Sequence, residues 1–86
     1  MSTRFTYQHL VELVGGDDEL IARLVELGEI EQRDDGIAVV DLDRVLTTRT
    51  LVRELEIDWP GVEVILRLLS ELAAARRRIA ELEAKP

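Results

Sequence analysis

The run Glu56-Ile57-Asp58-Trp59-Pro60-Gly61-Val62 divides the chain. It holds the only tryptophan and one of the two prolines. Before it lie short apolar segments punctuated by turns; after it one helical pattern continues almost to the end. Asp58 is a good N-cap, which makes Trp59, Pro60, Gly61 and Val62 the first four helical positions. Proline is tolerated in a first turn, because the N–H it lacks has no helical partner there. Asp58 can accept from the Gly61 N–H, since Pro60 has none to offer. Ile57 and Val62 have the spacing of a hydrophobic staple. The run therefore reads as the start of a long helix, with Trp59 expected to anchor it against the third helix and the staple to set its exit angle.

A chain of 86 residues makes one small domain. Its core is marginal once a helix extends from it, so self-association is expected. There is no cysteine, hence no disulfide framework and no thiolate metal site. No apolar run at the N-terminus resembles a signal peptide and none is long enough to span a membrane, so a cytoplasmic protein is expected. Charge is uneven. Residues 1–35 hold nine acids against three bases, while residues 36–86 hold nine acids against eight bases. An acidic front repels phosphate and attracts basic partners; a face that is merely solubilising is the competing reading.

Taken in order, Arg4-Phe5 reads as a short extended lead-in. Thr6 can cap a helix over residues 7–14, with Leu10, Leu13 and Val14 on one face, ended by Gly15-Gly16. Asp17 is the next N-cap, and Asp18 and Glu19 occupy a first turn whose dipole favours carboxylates. Leu20, Ile21, Leu24, Val25 and Leu27 supply the buried stripe, and Gly28 suits the position after the helix. Two short helices joined by a tight glycine turn outline a helix-turn-helix. Two short strands follow around the hairpin signal Asp35-Gly36. Asp41 caps a third helix over residues 42–55, with Val45, Leu46, Val52 and Leu55 as core positions. The last helix covers residues 59–84 and shows two faces. Val62, Leu66, Leu69 and Ala73 suit packing on the globule. Ile65, Leu68, Leu72, Ala75, Ile79 and Leu82 alternate steps of three and four, a heptad seam suited to a contact between two chains. Glu71, Glu81 and Glu83 lie near enough to Arg76, Arg77 and Arg78 for helical ion pairs.

Catalytic chemistry is hard to find. His9 is the only histidine and reads as a surface or packing residue. Ser2 and Ser70 have no histidine neighbour in sequence. Gly15-Gly16 is followed by Asp17-Asp18, which would repel a phosphate. No enzyme activity, metal or cofactor is expected.

The order helix, glycine turn, helix, small wing, third helix, long helix resembles the MerR-type winged-helix domain. In that family the second helix and the wing meet DNA, and the last helix pairs antiparallel with its mate. Gly28 stands where such proteins place a glycine, and Arg33 and Gly36 resemble the Arg and Gly of the wing. The second helix departs from the pattern: it has one Arg and no Tyr where DNA readers carry basic and aromatic residues. Gly36-Ile37-Ala38 lacks the aromatic and the arginine of the wing. DNA binding gains affinity from neutralised phosphates, which an acidic recognition helix opposes.

Leu55-Glu56-Ile57-Asp58-Trp59-Pro60-Gly61-Val62, followed by an apolar helix, is similar to a narrower group, the chaperone modulatory protein family (CbpM). Weaker agreement covers nearly the whole chain, including Phe5-Thr6 and Asp17-Asp18-Glu19-Leu20. That family looks like MerR-type proteins but binds the J-domain of a DnaJ-like co-chaperone. The resemblance implies an inhibitor that holds the co-chaperone off its Hsp70, because J-domains dock on Hsp70 through a basic helix. Asp17, Asp18, Glu19 and Glu26 are then the expected partner-binding surface, with Arg23 and His9 as neighbours. The expected fold is mainly α, a MerR-like winged helix-turn-helix with a small two-stranded wing and a long C-terminal helix. Residues 1–56 form the winged-helix-like domain, and residues 57–86 pack on it and mediate a homodimer. The alternative functions are a MerR-type DNA-binding transcription regulator and a dimeric scaffold.

Overall fold

The computed structural model describes residues 2–85. Strand β1 (Ser2–Thr6) leads into helix α1 (Tyr7–Leu13), a glycine turn and helix α2 (Asp18–Glu26). Strands β2 (Glu31–Gln32) and β3 (Ile37–Asp41) follow, then helix α3 (Leu42–Arg49), a π turn (Thr50–Glu54) and helix α4 (Trp59–Ala84).

Each α-helix starts on a side-chain cap three residues before the amide it accepts. Thr6 Oγ1 accepts from His9 N–H at 3.1 Å, Asp17 Oδ1 from Leu20 N–H at 3.2 Å, Asp41 Oδ1 from Arg44 N–H at 3.4 Å and Asp58 Oδ1 from Gly61 N–H at 3.1 Å. Each bond satisfies an amide that the helix itself leaves unpaired.

The wing is larger than its sequence suggests. The lead-in pairs antiparallel with β3 from Ser2↔Asp41 to Thr6↔Ile37, while β2 pairs on the other side of β3 with Glu31↔Val39. The expected two-stranded wing is present as the β2–β3 hairpin, and β1 extends it to a three-stranded sheet in the order β1-β3-β2. Only the β2–β3 hairpin carries a local turn signal. In that turn Gly36 N–H donates to Arg33 O at 3.1 Å and Arg33 N–H to Ile37 O at 2.9 Å, with Gly36 at φ 80°. A residue in the left-handed region at this place completes a three-residue hairpin loop, and glycine meets no Cβ penalty there.

The core joins Leu10 and Val14 of the α1 segment, Leu20, Ile21 and Leu24 of α2, Ile30, Ala38 and Val40 of the sheet region, and Val45 of α3. From α4, Val62 and Leu66 are buried as well. Five sequence expectations need correction. The third helix does not run regularly over residues 42–55, because α3 ends at Arg49 and passes into the π turn, where Leu55 N–H donates to Thr50 O at 3.0 Å. Leu46 and Leu55 are 39% and 61% exposed rather than core. The missing core position is Thr48, fully buried, whose hydroxyl donates to Arg44 O at 2.8 Å and so carries no unpaired polar atom inward. Leu13 is exposed at the end of α1, and Ala73 lies beyond the reach of the globule on α4.

Helix α4 has 26 residues, about 39 Å at the rise of an α-helix. Its front half lies on the globule; from Ser70 to Lys85 every residue is exposed. Glu56, just before it, adopts φ 54°, a left-handed conformation uncommon outside glycine, and turns the chain between the π turn and α4.

Candidate functional site

Helix α2 buries Leu20, Ile21 and Leu24. At 100° per residue the opposite face carries Asp18, Ala22 and Glu26 in line, with Glu19 and Arg23 beside them. Asp18, Glu19 and Glu26 are exposed. The small side chain of Ala22 leaves the middle of this acidic face flat.

Asp17 has a different role. Besides capping α2, its carboxylate receives two hydrogen bonds from Arg53 of the π turn, Nε to Oδ2 at 2.6 Å and Nη2 to Oδ1 at 2.9 Å. Hydrogen bonding from Arg53 holds its carboxyl below the ordinary value of 3.8 against the opposing effect of burial, and the Leu20 amide adds to the lowering. The same pairing raises the Arg53 guanidinium. Asp17 thus fastens the start of α2 to the π turn, and both its oxygens are engaged.

The Arg23 side chain is 43% exposed and tied on two sides. Its Nη1 donates to Glu26 Oε2 at 3.2 Å, and its guanidinium carbon lies 5.5 Å from the centre of the Trp59 ring. The structure therefore brings a residue of the acidic helix onto the tryptophan of the long-helix start, two features that are 36 residues apart in the sequence. Trp59 packs against the core cluster, which includes Val45 of α3, and its aromatic face also meets Arg23 of α2. His9 lies edge-on to Phe5, centroids 5.6 Å apart, at the junction of β1 and α1.

The long-helix start is held by steric fit. A Cβ on Gly61 would come 2.9 Å from Ile57 Cγ2 and 3.1 Å from Asp58 Oδ1. Ile57 folds over the first turn of α4 because position 61 has no side chain. A second fastening, invisible in the sequence, lies one turn further on. Arg44 donates to both oxygens of Glu29, Nε at 2.7 Å and Nη2 at 2.9 Å, and Nη2 also donates to Leu66 O at 2.9 Å. Hydrogen bonding to Glu29 raises the Arg44 guanidinium. One half-buried arginine thereby joins the segment after α2, α3 and the middle of α4. No local pattern announces it, since its partners lie 15 and 22 residues away.

A cleft of about 270 Å³ adjoins this clamp, lined by Leu27, Glu29, Arg44, Glu63, Leu66, Arg67 and Ser70. Within it Glu29 is engaged by Arg44. Along α4, Ile65 is half-buried, and Leu68, Leu72, Ala75, Ile79 and Leu82 are exposed. Among the described residues no helix is long and apolar enough to cross a membrane, and no cluster of three or more acidic or histidine side chains is placed to hold a metal ion.

The family model described as the MerR HTH family regulatory protein matches residues 5–84. No curated protein and no solved structure matches the chain.

Proposed function

Since the chain belongs to the MerR HTH family of regulatory proteins, we propose that its second helix is put to a changed use: binding the J-domain of a DnaJ-like co-chaperone and keeping that J-domain from Hsp70. The observation that carries this reading is the outward face of α2, where Asp18, Glu19 and Glu26 are exposed and Arg23 is held between Glu26 and Trp59. A duplex approaching this face would meet carboxylates, while a basic helix would meet complementary charge, which speeds encounter and selects partners. The wing supports the same preference, since Glu31, Asp34 and Asp35 are exposed and its Arg33 lies 3.5 Å from Glu31. The resemblance of residues 55–62 to the chaperone modulatory family names the partner class.

A homodimer is part of the proposal. The seam of Ile65, Leu68, Leu72, Ala75, Ile79 and Leu82 has heptad spacing and is mostly uncovered in one chain, and a second copy of α4 is the occupant that fits such a stripe. Replacing Leu72 and Ile79 by Asp is expected to give a monomer in sedimentation equilibrium; a wild-type protein already monomeric at micromolar concentration defeats the seam.

The test of function is a pull-down with a purified J-domain across a salt series. Wild type is expected to bind with an affinity that falls as salt rises, and Asp18→Lys with Glu19→Lys to abolish binding; equal binding by the variant sinks the surface. The second reading, a DNA-binding regulator, rests on the helix-turn-helix description of the family. Tight, sequence-selective duplex binding at physiological salt in a mobility-shift assay would establish it instead.

A further inference from the structure

Arg23 has a choice of partners. It stands four residues after Glu19 and three before Glu26. Glutamate four residues ahead of a base is the favoured order on a helix. Arg23 nonetheless bonds Glu26 at 3.2 Å and sets its guanidinium 5.5 Å from the Trp59 ring centre. Among the described residues the Glu19 side chain has neither hydrogen bond nor ion pair, and it acts on Arg53 only at a distance. The Arg23 Nε is buried and makes no hydrogen bond. A buried donor without an acceptor is unfavourable. The electron-rich face of Trp59 is the group placed to compensate, as an aromatic face attracts a cation.

We infer that Trp59 is a positioning residue for the α2 surface: its ring draws Arg23 toward Glu26 and away from Glu19, leaving Glu19 and Asp18 uncompensated for a cationic partner. The inference rests on the J-domain reading above and adds a determinant to it. The tryptophan of the long-helix start sets the charge pattern of a helix on another part of the chain. Without the ring, Arg23 is released to its better-ordered neighbour, and the acidic face loses one of its two free carboxylates.

The test uses the full chain with three substitutions. Trp59→Phe keeps an aromatic face, Trp59→Leu keeps only apolar volume, and Trp59→Leu with Arg23→Gln removes the competing cation. J-domain affinity is expected to fall about two- to five-fold from the Phe to the Leu variant, the range of an exposed cation–π contact. Arg23→Gln on the Leu background is expected to restore it. Equal affinity of the Phe and Leu variants overturns the inference. Proton NMR of the Arg23 Nε–H gives a readout that a purely structural tryptophan would not move. Its resonance is expected upfield under the ring current in wild type and the Phe variant, and near the free-arginine position in the Leu variant. A wild-type resonance already at the free-arginine position overturns the inference with no variant needed. A wild-type protein that binds no J-domain defeats the reading of the preceding subsection, and the Arg23 resonance then decides the positioning role by itself.

Discussion

Leu66 and Leu72 stand six residues apart on one helix, yet the first is 3% exposed and the second 45%. The halves of α4 that they represent are both rich in apolar side chains. What differs is everything that holds the front half: the Asp58 cap, Ile57 folded over Gly61, Trp59 beside Arg23, and Arg44 bonded to the carbonyl of Leu66. The rear half has one exposed ion pair within its own helix, Arg78 to Glu81 at 3.3 Å. Apolar content makes a helix face able to pack; directional contacts decide which length of it meets the globule. The remaining length is uncovered.

The sharpest break of this contrast is truncation on each side. Leu66→Ala is expected to destabilise the fold by about 3 kcal/mol, the cost of an emptied core site. Leu72→Ala should change the stability of the monomer by less than about 0.5 kcal/mol, as for most surface substitutions. Denaturant unfolding at low protein concentration separates the two, and similar losses would erase the distinction. Next comes the clamp. Arg44→Ala leaves Glu29 half-buried without its cation and is expected to cost about 2 kcal/mol, with Arg44→Lys recovering only part because an ammonium cannot span both oxygens and the carbonyl. The loss should appear as faster amide exchange in the front half of α4 and none in the rear.

A smaller effect tests the helix start. Gly61→Ala gains helix propensity but drives a Cβ into Ile57, so a net loss of about 1 kcal/mol is expected. In an Ile57→Ala background the same change should turn stabilising, and a loss of equal size in both backgrounds would show that the contact is not the cause. The smallest effect is electrostatic. Asp17→Asn keeps a good cap and removes a charge, for an expected loss below about 1 kcal/mol at neutral pH. The folded-state pKa of Asp17 lies below 3.8. Its contribution is therefore complete above that value and is lost as pH falls through the depressed folded pKa. Wild type and variant should converge in stability below that point, and a constant gap down to strong acid would contradict the pairing with Arg53.

Much of this architecture was legible because its signals are local. Thr6, Asp17, Asp41 and Asp58 each act over three residues, so a cap can be read without knowing the fold. The unread contacts act over distance: Asp17 with Arg53, Glu29 with Arg44, Arg23 with Trp59, and β1 with β3. Leu55 was misplaced for a related reason. A π turn holds an extra residue and shifts every later side chain round the axis, so a stripe counted at an unbroken helical period loses phase. Leu46 was misplaced because Thr48 reads as polar until its hydroxyl is seen bonded to Arg44 O. For the candidate site, the acids of α2 were legible from composition. The tying of Asp17 and Arg23 was not, because it depends on Arg53 and Trp59 arriving from later in the chain.

The β1–β3 ladder bears on how the molecule assembles in time. Its register joins Ser2 to Asp41, whereas the two short helices between these strands form from near neighbours. Closing so long a loop costs chain entropy before any ladder bond forms, which slows pairing of this kind. The opening strand is in that sense a fastener: it lies at one edge of the sheet, and without it β3 would present an unpaired edge of the kind other chains can occupy.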